Sequence, residues 1–99
     1  MSLLIQTIIE YVKEHHQGWE ISIPYSDTIV LNHPKYTTIW LFFYEHPNQC
    51  ISIQYYNVEI SENKTVQYNE HNILEITDDI INKAEEHYRC YRKYSTRNK

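Results

Sequence analysis

Between Tyr36 and Tyr44 the chain reads Tyr-Thr-Thr-Ile-Trp-Leu-Phe-Phe-Tyr. Side chains of a strand alternate between its two faces. One face of this segment carries Tyr36, Thr38, Trp40, Phe42 and Tyr44, the other Thr37, Ile39, Leu41 and Phe43, and both are apolar at their centre. A strand of this kind is covered on both sides, so it is central in a sheet, and its second face meets another element or another copy of the protein. The rest of the chain has to supply neighbours for it.

Before it, Trp19, Ile21 and Ile23 alternate with Glu20 and Ser22, the period of a strand with one buried face, and Pro24 to Asp27 turns the chain into a short strand from Thr28 to Leu31. Asn32-His33-Pro34-Lys35 has turn chemistry, because proline fixes φ and asparagine tolerates left-handed geometry. After it, Glu45-His46-Pro47-Asn48 turns again. From Cys50 to Ile60 the large apolar residues sit at Ile51, Ile53 and Tyr55 and then at Tyr56, Val58 and Ile60, a slip of one that predicts a β-bulge. Ser61-Glu62-Asn63-Lys64 then closes a hairpin onto a weaker edge strand from Thr65 to Tyr68.

Helices flank this meander. Ser2 is placed to cap a helix whose apolar positions Leu4, Ile5, Ile8, Ile9 and Val12 recur at three- and four-residue spacing, with Gly18 as its left-handed C-cap. A second helix runs from Asp78 to about Lys93, with Thr77 as cap and Ile80, Ile81, Ala84, Tyr88 and Tyr91 on one stripe. Asn72-Ile73-Leu74-Glu75 also has capping-box form, so the start of this helix is open between the two. The expected fold is α+β: an N-terminal helix, an antiparallel sheet of four to five strands and a C-terminal helix, in one domain over residues 1–99 with a frayed tail from residue 95.

One glycine stands where an average chain of this length carries about seven, which removes glycine-built phosphate cradles. Thirteen acids precede residue 87 against four basic side chains, a balance of −9, while Arg89, Arg92, Lys93, Arg97 and Lys99 follow. An acidic body repels nucleic acid and attracts basic protein surfaces, and a basic tail does the reverse. Two cysteines, Cys50 and Cys90, make no disulfide framework, and there is neither a signal-peptide pattern nor an apolar run long enough to span a membrane. A cytoplasmic location is expected.

Few groups point to chemistry. His46 with Cys50, and His87 with Cys90, offer the two nitrogens and two sulfurs of a zinc site if the hairpin lies over the last helix. Cys50 with His46 is also the one thiol and base that the sequence places close. Both cysteines equally suit small buried positions. His15 and His16, adjacent on a helix, diverge by about 100° and read as solvated polar residues, and Asp78-Asp79 as acids at a helix N-terminus. In Tyr88-Arg89-Cys90-Tyr91-Arg92-Lys93-Tyr94 cations alternate with aromatics, as on nucleic-acid surfaces, yet helical spacing turns Tyr88 and Tyr91 toward the core.

In texture, a short chain rich in tyrosine, isoleucine and asparagine that runs helix, strand meander, helix, the protein resembles small proteins of filamentous archaeal viruses of the lipothrixvirus and rudivirus type. It is also similar to bacterial toxin-immunity proteins, which are small, acidic and aromatic. The resemblance implies a viral or mobile-element origin and, for a virus, action in the host cytoplasm. No motif carries it, so it transfers no site residue. The expected function is non-enzymatic binding of another protein through an acidic, aromatic surface formed by Tyr36, Trp40, Phe42, Tyr44, Tyr55 and Tyr56, with a homodimer as one way to cover the second face. A nucleic-acid-binding helix using Arg89, Arg92, Lys93 and Arg97 is the alternative. No catalytic residue, cofactor or metal is expected.

Overall fold

The two-faced segment is the middle strand of five in the computed structural model, which describes residues 2–58 and 60–97, with side chains through Tyr88. The order is α1 (Leu3–His15), β1 (Glu20–Tyr25), β2 (Thr28–His33), β3 (Tyr36–His46), β4 (Cys50–Tyr56), β5 (Ser61–Gln67) and α2 (Ile73–Arg97). The strands form one antiparallel sheet in the order β1-β2-β3-β4-β5, each paired with its neighbour in sequence. The expected α+β architecture is therefore present.

Ser2 caps α1 as its spacing requires: its Oγ accepts the Ile5 N–H at 3.2 Å, satisfying one of the amides a helix start leaves free. Helical geometry ends at His16, and Gly18 takes the positive φ of 102° two residues later, where the chain swings into β1. A Cβ on Gly18 would lie 2.8 Å from His33 Nε2, so the glycine serves a close approach to the sheet and is not itself the C-cap.

Both helices cover one face of the sheet. Ile29, Leu31, Ile39, Leu41, Phe43, Ile51, Ile53 and Tyr55 point there and form one core with Leu4, Ile5, Ile8 and Val12 of α1 and Ile73, Ile80, Ile81 and Ala84 of α2. Burial of each large aliphatic or aromatic side chain contributes about 1.5–3 kcal/mol. Among the described residues no helix covers the other face of the sheet, where Trp40 and Tyr56 stay exposed.

Two expectations need correction, and the open start of the second helix is settled at its earlier alternative. The pairing of β3 with β4 runs unbroken from Trp40 opposite Tyr56 to His46 opposite Cys50, so there is no bulge. The apolar phase slips after Tyr55 because β4 ends at Tyr56; just beyond it the Asn57 carboxamide oxygen accepts the Ile60 N–H at 2.6 Å. Consequently Ser61 to Lys64 belong to β5 and are not the turn. Lastly, α2 starts at Ile73 after Asn72, whose carbonyl accepts the Ile76 N–H. Thr77 is an interior residue, fully buried, its hydroxyl donating to the Ile73 carbonyl at 2.8 Å.

Candidate functional site

The uncovered face of the sheet is built by register. Glu20, Asn32, Trp40, Tyr56 and Ser61 form one row across the five strands. Ser22, Val30, Phe42, Gln54 and Asn63 form the next, and Tyr25, Thr28, Tyr44, Ser52 and Thr65 a third. Most of the aromatic and aliphatic residues thus collect on the three central strands, while the edges carry polar residues and, on β1, the exposed Tyr25. Trp40 is 40% exposed and Tyr56 47%, both large side chains in water, while Phe42 and Tyr44 are half-buried and stack with ring planes 4° apart and centroids at 6.1 Å. Glu20 is the one carboxylate in these rows, and they hold no lysine or arginine.

Of the residues expected to form a contact surface, Trp40, Phe42, Tyr44 and Tyr56 share this face. Tyr55 does not: with no bulge it points into the core, 1% exposed, its hydroxyl 2.8 Å from His87 Nδ1 and accepting from the Asn57 carboxamide at 3.0 Å. Burial pushes its phenol pKa up. Tyr36 also leaves the face, because the β2–β3 register shifts at His33. It packs at the end of the core against His33, Trp19 and Tyr88, with centroids at 4.5, 5.7 and 4.5 Å. The expected acidic, aromatic surface is in fact two surfaces. Glu10 and Glu14 of α1 and Glu75, Asp79 and Glu86 of α2 are exposed on the helical side, opposite the aromatic one.

At one end of the open face His46 Nε2 lies 2.6 Å from Ser52 Oγ, which lies 2.7 Å from Thr65 Oγ1. Nucleophilic catalysis by a hydroxyl needs its base held by a third group. Among the described residues no carboxylate bonds to His46, and the chain of hydrogen bonds serves to satisfy Ser52, which is 8% exposed. Cys50, beside it, directs its thiol to the Asn48 carbonyl at 3.6 Å.

His46 and Cys50 belong to the open face and His87 to the helical side, where it meets Tyr55, so the sheet stands between these donors. Among the described residues no three His, Cys, Asp or Glu side chains converge as metal ligands. The side chains of Cys90, Tyr91, Arg89, Arg92, Lys93 and Arg97 lie outside the described residues. Tyr88 is half-buried against the core, as helical spacing predicts.

One polar cluster has no sequence signal. Asp78 accepts hydrogen bonds on both carboxylate oxygens, from the Tyr11 hydroxyl and from His16 Nε2, each at 2.6 Å. His16, expected in solvent, is therefore part of a clamp between the end of α1 and the start of α2. Burial alone would raise the Asp78 pKa, but the two hydrogen bonds and the neighbouring histidines outweigh it and hold the carboxyl below its usual range. The bond to Asp78 in turn raises the Tyr11 phenol. Histidines and acids are common at helix ends, and only the tertiary crossing of α1 and α2 selects this trio.

Between β5 and α2 runs an open groove of about 610 Å³, with Ile53, Tyr55, Ile76 and Ile80 at its base. An ion pair of Lys83 with Glu62 crosses it. The hydrogen bond from Lys83 lowers the Glu62 pKa. Since Ile53, Tyr55 and Ile80 expose almost nothing, the groove offers little apolar area to a ligand.

Comparison with protein families, curated proteins and solved structures finds no match to this chain.

Proposed function

We propose that this chain is a small non-catalytic binding protein that acts by protein–protein contact through the open face of its sheet. The observation that carries the reading is a continuous uncharged patch centred on Trp40, Phe42, Tyr44 and Tyr56, extended by Tyr25 on β1 and otherwise flanked by polar residues of the edge strands. Contiguous exposed apolar surface marks interaction sites. An aromatic centre within a polar rim is the anatomy of protein interfaces, and tryptophan and tyrosine dominate their energetics.

Nucleic acid is the poorer occupant of this face, because its affinity rests on cations at phosphates and the described rows supply neither lysine nor arginine. Blockade of a basic partner site would have to use the acidic outer sides of the helices instead. A photo-crosslinking side chain in place of Phe42, compared with one in place of Glu14 on the outside of α1, tests the reading in cells that make the protein. Protein adducts concentrated at position 42 are expected. Equal yields at the two positions, or none at 42, would refute it.

A further inference from the structure

We infer that the protein docked on the open face is a second copy of this chain, the two sheets packing face to face as a sandwich. The inference rests on the proposal that this face is a protein-docking surface, and it adds the partner. In a two-fold interface each patch meets itself, so a charge near the axis meets its own like charge. A foreign partner sets no such condition on the face. The patch is uncharged at its centre in a chain whose residues before 87 carry −9. Facing the sheets also puts the acidic helices on the two outsides of the assembly. The sheets alone then hold them about 10 Å apart, already more than the Debye length of about 8 Å at physiological salt.

The edges of the sheet argue against the other way two such sheets join. Pro24 removes a donor from β1 and its register is irregular, while β5 presents Glu62 and Lys64. Both devices blunt strand addition. The face is also large enough. Five strands at about 4.8 Å spacing and seven residues at about 3.3 Å give a footprint of about 24 by 23 Å, or about 550 Å². Two copies then bury about 1,100 Å² before side-chain relief is counted, above the roughly 1,000 Å² that a specific interface should clear. Aligned packing of two twisted sheets at about −30° accommodates interdigitating Trp40, Phe42 and Tyr44.

Sedimentation velocity of the purified full chain across the micromolar range, at physiological salt, tests this. The expected result is a species of about twice 12.1 kDa. Phe42→Lys should weaken it by about a hundredfold or more, since each dimer would bury two unpaired ammonium groups. Tyr56→Lys, at a more exposed position, provides the same test if Phe42→Lys folds poorly, as read by circular dichroism. Glu14→Lys should leave the dimer intact. Trp40 fluorescence should lose its accessibility to acrylamide as the dimer forms, whereas Trp19, 6% exposed, stays shielded throughout. A monomer at every concentration overturns the inference, as does a dimer indifferent to both lysine variants, or a monomer that binds a polypyrimidine strand at low salt. Crosslinks from position 42 to other proteins alone would leave the docking reading standing and remove the second copy; no crosslinks would remove both.

Discussion

Tyr55 and Tyr56 are adjacent, similar in sequence context and opposite in fate, which makes Tyr55 the sharpest probe of the register. Tyr55→Phe keeps the ring and deletes a hydroxyl that is 2.8 Å from His87 Nδ1 and accepts from Asn57 at 3.0 Å. Each such bond contributes about 0.5–1.5 kcal/mol, and since His87 and Asn57 are only half-buried, water can replace part of what they lose. The expected cost is about 1–2 kcal/mol. Tyr55→Ala also removes a ring that is 1% exposed and leaves a cavity over Ile53 and Lys83, for about 3–5 kcal/mol in all. At about 4–8 °C per kcal/mol for a domain of this size, the two variants should melt roughly 4–16 °C and at least 12 °C below the parent. Urea unfolding followed by circular dichroism, with an unchanged slope, reads both. A Tyr55→Ala protein within about 0.5 kcal/mol of the parent, the range of ordinary surface changes, would mean that the residue faces solvent and that the register assigned to β4 is wrong.

Other perturbations test separate parts of the structure. Thr77→Asp would suit an N-cap, but at a fully buried interior position it should cost several kcal/mol; a neutral effect on thermal unfolding would restore Thr77 as the start of α2. Gly18→Ala should destabilise by about 1–3 kcal/mol, because φ is 102° and the new Cβ would press on His33; an unchanged midpoint would remove that contact. The Asp78 carboxyl is held below its usual 3.8, so its contribution is fully present above that pH and fades as pH falls through the lower folded value. Stability measured from pH 5 to pH 2 should lose this component in Asp78→Asn and shift it upward in Tyr11→Phe, and identical pH profiles for parent and variants would show that the clamp carries no linkage.

The parts of the fold legible in sequence are those where periodicity and burial coincide. In α1 the stripe of Leu4, Ile5, Ile8 and Val12 is the buried one, and in β3 the alternation of Ile39, Leu41 and Phe43 is the core face. The open face was legible as an unsatisfied demand, since a strand apolar on both sides needs two coverings and the described residues provide one. Legibility fails where the apolar pattern crosses an element end. Val58 and Ile60 continue an apolar phase beyond the last paired residue of β4, and only the partner strand shows where pairing stops. It fails again for β5, whose Ser-Glu-Asn-Lys reads as a turn because an edge strand beside a groove has no apolar face to display. Tyr11, His16 and Asp78 are invisible for a third reason: their union depends on how two helices cross, which no local pattern encodes.

The strictly sequential order of the strands has a consequence for the route by which this chain assembles. Every ladder joins neighbours separated by a turn of two to four residues, so each pairing closes a short loop at small entropic cost. Among the described residues the hydrogen bond from Tyr11 to Asp78 spans 67 residues and closes one of the longest loops in the molecule. Hairpins of this kind form on the microsecond scale and can extend one from the next, whereas α1 has to wait for α2 to dock before its own contacts repay the ordering of the chain. The two ends of the molecule are therefore the last to close and the first to part, and a sheet stripped of α1 would carry apolar surface on both sides at once.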